Sequence, residues 1–493
     1  MAVRGVVAAG HPVSAELGAD ALRVGGNAVD AALAAVLGSF TAEPLLTGLG
    51  AGGYLLVVPV DGEAVLLDFF VEASGRGVDP GARGTLVPVE VSFGDAVQPF
   101  HIGASSVGTY GVPAGIAAAS VDYGRIPLAD LTAPAAELAR TGVPLTRQQA
   151  YVVEILAPIV TATPECAALF APGGKLLGHG DLFRNPELGD TLDLLGREGA
   201  GPFYKGAIAT LVCDWLEARG GATLTPADLA AYDVVEREPI RVPYRDAEVL
   251  LNPPPSAGGA LLALALARVN ATAGAPDAVA LVESMDAAQL ARTPEFLEGL
   301  ADPGFLERFF AANLGSTTHV SAIDADGNAA SVTCSNGEGS GIVVPGTGIH
   351  LNNMQGEEDL NPLGFHRHAA GRRLPSMMCP TAVLRDGVPE LVLGSAGSNR
   401  IRSALLQTIA NVVDRGMPVQ DAVDAPRLHS ESGTVYAEPG IDVEALEAAG
   451  YVVQRFRDRN LFFGGVQAAR RRPDDGALGG GGDPRRGGAV VVA

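Results

Sequence analysis

Two short apolar runs on either side of an Asp-Gly-Asn turn constrain this chain more than any other stretch. Thr317-Thr318-His319-Val320-Ser321 leads through Ala322 and Ile323 into Asp324-Ala325-Asp326-Gly327-Asn328, and Ala329 to Cys334 returns. Val320 and Ala322 alternate with their neighbours at period two, and turn residues between two such runs specify an antiparallel hairpin. The fold must therefore be built around antiparallel sheet here. After this hairpin come further short strand-like runs, Ile342 to Val344, Thr381 to Leu384 and Glu390 to Leu393. Before it the periodicity is mostly helical: Ser14 to Gly38, divided at Gly25-Gly26-Asn27, then Leu128 to Leu195 and Leu261 to Leu314. A helix-rich first part feeding a strand-rich second part predicts an α+β class with layered sheets covered by helices. Ala489 to Val492 reads as a last strand, and Asp277 to Asn313 as a surface linker.

The threonine that opens the hairpin carries latent chemistry. Its hydroxyl is a poor nucleophile at neutral pH, and one way to activate it is its own α-amine acting as general base. That amine has an unperturbed pKa of about 7.7–8.0. Residue 317 of an intact chain offers only an amide, so the chemistry requires cleavage between Ser316 and Thr317. Thr-Thr-His alone does not separate this reading from an ordinary hairpin. A second stretch, Leu393-Gly394-Ser395-Ala396-Gly397-Ser398-Asn399-Arg400, joins a predicted strand to a predicted helix. Its backbone N–H groups suit a developing oxyanion, while the plain alternative is a turn whose glycines only permit sharp geometry.

Charge and composition remove several function classes. The net charge of −22 over 493 residues opposes nucleic acid and anionic membrane surfaces as partners. Lys175 and Lys205 are the only lysines, which leaves little for lysine-based catalysis. Cys166, Cys213, Cys334 and Cys379 have neither metal nor redox spacing and read as buried thiols. The apolar run before Gly10-His11-Pro12 is too short for a signal peptide, so a cytoplasmic location is expected. Gly48-Leu49-Gly50-Ala51-Gly52-Gly53 matches the dinucleotide fingerprint in letters only, because a helix precedes it and the Tyr54 to Val58 strand follows. It is read as a close-packed glycine turn. His366-Arg367-His368 and Glu357-Glu358-Asp359 are read as polar loops rather than a metal site or a glycosidase pair, and no cofactor is expected.

Several motifs occur together and in order: Gly25 to Ala32, Glu43-Pro44, Gly111 to Gly115, Phe203 to Gly206, Pro253 to Gly259, Ser316 to Ser321, Gly348 to Asn353, Leu374 to Thr381, Leu393 to Ser398 and Gly482 to Arg485. In this combination the chain resembles the γ-glutamyltranspeptidases, autoprocessing N-terminal-nucleophile hydrolases. The resemblance implies a four-layer αββα sandwich built jointly by two cleavage products, 1–316 and 317–493, held as a heterodimer. It implies Thr317 as nucleophile and the Gly397 and Ser398 amides as the oxyanion hole. The substrate would be a small amide or peptide with a γ-glutamyl group, passed to water or an amine.

The substrate-binding candidates are Ser335, Asn336, Glu357, Ser376 and Arg76, and they depart from the family pattern. Asn336 matches only across a short deletion, and Glu357 stands for an aspartate. Ser376 falls on the first of two serines, with Met377 on the second. A glutamine becomes Met354, and the arginine expected after Asp68-Phe69 is absent, leaving Arg76 as the nearest cation. Two rivals remain: an acylase for another side-chain amide such as glutaryl, in the manner of cephalosporin acylases, and an uncleaved scaffold.

Overall fold

The computed structural model describes residues 3–79, 82–92, 97–220, 223–290, 318–361 and 364–493. Thr318–Asp324 and Ala329–Ser335 form the expected hairpin, with Val320 opposite Val332 and Ser321 opposite Ser331. The Asp324 carboxylate closes its turn by accepting from the Gly327 and Asn328 N–H groups. Its other oxygen accepts from Ala28 N–H at the start of helix Ala28–Ala42. One short side chain thus fixes both the turn and the seat of a helix 296 residues away.

The hairpin lies at the centre of a seven-stranded antiparallel sheet. In spatial order its strands are Ala489–Val492, Gly5–Ala9, Thr318–Asp324, Ala329–Ser335, Gly52–Val58, Val65–Phe69 and Val235–Arg237. A six-stranded sheet lies against it, ordered Leu478–Gly482, Gly465–Arg471, Val388–Ala396, Thr381–Arg385, Ala247–Leu251 and Ile240–Tyr244. Three apolar layers follow from this stacking. Val6, Leu56, Phe70, Ile323, Val392 and their neighbours fill the space between the sheets. Val320, Ala322 and Val332 meet helices Pro12–Arg23 and Ala28–Ala42 on one outer face. Val383, Leu391 and Leu393 meet Ala257–Asn270 and Arg400–Val413 on the other. The order is helices, sheet, sheet, helices.

Helix Ala28–Ala42 is buried along its whole length, which explains its nearly all-apolar sequence. It has the sheet beneath it and helices Pro12–Arg23 and Leu128–Thr141 beside it. Its start is fixed by a capping box between Asn27 and Asp30.

Two expectations need correction. The first part of the chain is not merely helical, since it supplies Gly5–Ala9, Gly52–Val58, Val65–Phe69 and Val235–Arg237 to one sheet and two strands to the other. Gly52–Val58 contains the expected Tyr54 to Val58 strand, whereas Gly5–Ala9, buried at every residue, is a run without alternation that period-two reasoning passes over. Nor is the whole of Asp277 to Asn313 a linker. Ala278–Leu290 is a helix whose Leu281, Val282, Met285 and Ala288 belong to the core over the second sheet. Residues 291–313 lie outside the described residues. The four cysteines are buried free thiols, as expected, and among the described residues no helix is long and apolar enough to cross a membrane.

Candidate active site

Ser316 and Thr317 lie outside the described residues, so the site is built from what surrounds the head of the Thr318–Asp324 strand. Thr318 shares its face with Val320 and Ala322, and its hydroxyl donates to Glu43 Oε1 at 2.9 Å. Glu43 follows directly on helix Ala28–Ala42 and is 2 % exposed. Burial pushes its carboxyl up to about 7, a rise only partly offset by the Thr318 hydrogen bond and the Arg486 charge. The Ser14 hydroxyl stands beside the carboxyl without closing a hydrogen bond to it. Oε2 has no hydrogen-bond partner among the described residues. Gly10 makes room for this group, because a Cβ there would stand 2.3 Å from Oε1. His11 caps the next helix through Nδ1, and burial drops its imidazole to about 4.

The opposite parity of the strand faces the second sheet. His319 is fully buried between the sheets, with Nδ1 2.8 Å from Thr333 Oγ1 and Nε2 2.9 Å from Ser321 Oγ. Burial drops its pKa to about 3, so the ring is neutral and serves as a polar rivet. It lies flat on Gly394, where a Cβ would come within 2.3 Å of the ring. Ser321 donates to Gln467 O and Ser331 to Leu393 O, which pins the two sheets in this register. Since Gly394 sits under His319, the strand Val388–Ala396 ends at the same edge of the sandwich where Thr318–Asp324 begins.

Gly397 and Ser398 stand at that edge. Gly397 has φ +119° and Ser398 φ +57°. A serine in the left-handed region is strained, and such strain persists where surroundings over-determine it. Here they do. A Cβ at Gly397 would lie 2.6 Å from Gly464 Cα, so two glycine corners touch backbone to backbone. Behind the loop, Asn399 donates to Glu431, whose other oxygen is 3.4 Å from His429 Nε2, and His429 Nδ1 is 2.7 Å from Ser403 Oγ. Arg400 donates to Phe462 O and lies 4.7 Å over that ring. Arg486 reaches the same corner, its Nη2 3.5 Å from the position of a Gly397 Cβ. Burial and the neighbouring Arg400 charge drop its guanidinium to about 10.

Ser335, Asn336 and Glu357 gather at the far end of the hairpin's second strand. The Ser335 hydroxyl accepts from Gly337 N–H at 2.8 Å, and Asn336 Nδ2 donates to His350 O at 3.1 Å. Gly337, at φ +65°, leaves space that the Glu357 carboxylate and Asn353 Oδ1 occupy, 1.9 and 2.2 Å from where its Cβ would be. Asn353 accepts from Glu338 and Gly339 N–H, while its Nδ2 and Asn336 Oδ1 are buried without partners among the described residues. Asn353 is therefore a site residue for which the sequence signal was available, in the Gly348 to Asn353 motif.

The other two candidates lie differently. Ser376 caps the approach to helix Ala257–Asn270, its carbonyl accepting from Ala257 and Gly258 N–H and its hydroxyl from Met378 N–H. Arg76 is not a spare cation: Glu72 and Asp228 stand 3.5 and 3.6 Å from its Nη1. The methionines also separate. Met354 packs between the sheets with Phe70, Val71 and Leu374, whereas Met377 belongs to the core beneath Ala257–Asn270. No group of three or more metal-ligating side chains occurs among the described residues. His366 and His368 instead meet the carbonyls of Ser105 and Leu360.

The sequence profile of the γ-glutamyltranspeptidase family matches residues 14–493. The chain is 31% identical over 489 residues to an acylase ACY 1 proenzyme of Pseudomonas sp. (strain SE83), covering 92% of this chain and 88% of that protein. It is 29% identical over 523 residues to a glutathione hydrolase proenzyme of Bacillus subtilis (strain 168), covering 94% and 87%. The fold is similar to that of a cephalosporin acylase from Bacillus halodurans, with TM-score 0.85, 28% identity, and coverage of 99% of this chain and 96% of that one.

Proposed function

Since the chain belongs to the γ-glutamyltranspeptidase family, a family of hydrolases and transferases, we propose that it is a self-cleaving threonine amidohydrolase and acyltransferase. Cleavage between Ser316 and Thr317 frees the α-amine of Thr317. That amine takes the proton from Thr317 Oγ as the oxygen attacks a substrate amide carbonyl. The oxyanion is received by the amides of Gly397 and Ser398, and the leaving amine departs with the proton. The acyl-enzyme then passes to water or to an amine acceptor. The proenzyme names of the acylase and glutathione hydrolase relatives favour the cleavage step.

The observation that carries this reading is the stacking of His319 on Gly394. It brings the head of the Thr318–Asp324 strand and the Gly397-Ser398 corner to one edge of the sandwich, which supports a nucleophile at Thr317 with its oxyanion donors at that edge. Cleavage would not loosen the fold. Both sheets contain hydrogen-bonded strands from before and after residue 317, so fragments 1–316 and 317–493 stay together as a heterodimer without a covalent link.

The acyl group is set at the Asn336, Asn353 and Glu357 end, and a specific observation favours an acylase over a γ-glutamyl specialist. Phe70 and Met354, where the family pattern has an arginine and a glutamine, pack in the same apolar cluster. Two polar partners of a free amino acid head group are thus replaced together by apolar volume. A buried ionic group left unpaired costs about 1–3 kcal/mol or more, equivalent to tenfold to over a hundredfold in specificity. Measuring kcat/KM for glutaryl and γ-glutamyl p-nitroanilides tests the reading. Glutaryl is expected to be preferred, and Thr317→Ala to turn over neither. A strong γ-glutamyl preference would return the substrate to that of the glutathione hydrolases, and turnover by Thr317→Ala would remove the threonine mechanism.

A further inference from the structure

Glu43, a buried ionisable group at the head of the Thr318–Asp324 strand, has no part in the mechanism above. Glu43 joins a helix end to the residue that follows Thr317 in the chain. Its Oε1 is engaged by the Thr318 hydroxyl at 2.9 Å and its Oε2 is unpartnered among the described residues. A fully buried carboxyl left with an open acceptor is costly unless that acceptor is used. The site is also cut to fit it, since any side chain at Gly10 would strike Oε1. Resting on the self-cleaving reading, we propose that Glu43 is a positioning residue for cleavage. As a carboxylate it holds Thr318 in one rotamer and so fixes the direction in which the preceding peptide enters the cleft.

In that cleavage the Thr317 Oγ attacks the Ser316 carbonyl carbon, the C–N bond breaks, and the Oγ proton ends on the Thr317 nitrogen. Water then hydrolyses the ester, leaving a Ser316 carboxylate and the free Thr317 hydroxyl. Nitrogen gains positive character as it takes the proton, and a carboxylate one residue away favours that change electrostatically. A neutral Glu43 would give up this effect and would offer Thr318 an acid rather than a full acceptor.

The groups that face Glu43 leave it as the one that titrates near neutrality. Ser14 approaches from the first helix, whose N-cap is His11, Gly10 from the end of the first strand, Thr318 from the hairpin and Arg486 from the C-terminal segment. Buried His11 titrates at about 4 and Arg486 at about 10, whereas Glu43 titrates at about 7. Glu338 and Asp483 act electrostatically on Arg486 as Glu43 does. The cleavage rate should therefore rise through pH 7 and level off above it.

Precursors made by cell-free synthesis at low pH and shifted to pH 5.5–9 allow the rate to be followed by denaturing electrophoresis. Wild type is expected to accelerate through pH 7. Glu43→Gln should cleave about tenfold or more slowly at pH 8 with a flat profile, because the amide keeps the shape but cannot ionise. Thr318→Val should be slowed similarly, Thr318→Ser should restore the rate, and the double variant should be no slower than either single one. Circular dichroism and melting of each variant on a Thr317→Ala background verify folding. A Glu43→Gln precursor that cleaves at the wild-type rate with the wild-type pH profile overturns the proposal, as do Glu43→Gln and Thr318→Val effects that multiply. A wild type that never cleaves overturns instead the self-cleaving reading on which the proposal rests.

Discussion

Glu43 makes a stability prediction independent of any catalysis. Its folded-state pKa of about 7 stands above the ordinary 4.5, because the buried carboxyl loses hydration that Thr318 and Arg486 only partly replace. The native protein therefore keeps a proton on Glu43 between these two values while the unfolded chain has lost it. Stability contributed by the protonated group is complete below pH 4.5 and is lost as pH rises through 7. At about 1.36 kcal/mol per pKa unit, the difference amounts to roughly 3 kcal/mol. With an unfolding entropy of about 2.1 cal/mol/K per residue, a chain of 493 residues has about 1 kcal/mol/K, so the effect is about 3 °C in Tm. Glu43→Gln removes the titration and adds a constant offset from its buried amide. The readout is therefore the difference in Tm between the two proteins, both on a Thr317→Ala background, measured from pH 5 to 8.5. All other titrations are common to both and cancel. Wild type should lose about 3 °C relative to Glu43→Gln over that range, and a difference constant with pH would refute the assigned burial of the charge.

Two other sites make sharp predictions. Gly397→Ala places a methyl 2.6 Å from Gly464 Cα at φ +119°, so the corner must move and turnover should fall by about 10²–10³, the usual cost of losing one oxyanion donor; unchanged kcat would remove this loop from the mechanism. Ser398→Gly, by contrast, suits φ +57° and should keep turnover, while proline, locked near −65°, cannot be used there to delete the N–H. Asp483→Asn should destabilise the fold by about 3–5 kcal/mol, since Asp483 is fully buried between Arg427 at 2.7 Å and Arg485 at 3.2 Å. Burial raises the Asp483 carboxyl, but the charges of Arg427 and Arg485 and the backbone N–H groups of Arg485 and Val466 together lower it more, so its net shift is downward. Its stabilising contribution is present above the ordinary carboxylate range and fades as pH falls through the folded value, so the variant and wild type should converge in Tm toward pH 3.

Local chemistry was legible and long-range burial was not. The Asp324 to Asn328 turn, the hairpin around it, the two opening helices and the Ala489–Val492 strand follow from periodicity and turn residues, signals carried within a few positions. The partners of those strands are not local. Gly5–Ala9 pairs with Thr318–Asp324 across more than half the chain, and its all-buried apolar run looks the same as a helix core segment. Arg76 reads as a spare cation until folding brings Asp228 and Glu72 to it. Glu43 was visible as part of an acid-proline motif, yet its meaning depends on Thr318, 275 positions away. Met354 and Met377 look equivalent in sequence, whereas opposite faces of the second sheet send them to separate cores. Gly394 and Gly397 read as turn formers, and only the sandwich shows that each yields its side-chain space to a neighbour, His319 and Gly464.

The most direct test of the central claim is the intact mass of the purified wild-type protein under denaturing conditions, set beside its activity and the mass of Thr317→Ala. Two species are predicted, one ending at Ser316 and one beginning at Thr317, whose masses sum to that of the full chain plus one water. Thr317→Ala should give a single full-length species. A catalytically active wild type found only at full-length mass would contradict the account, because a threonine inside a peptide bond has no free amine with which to act.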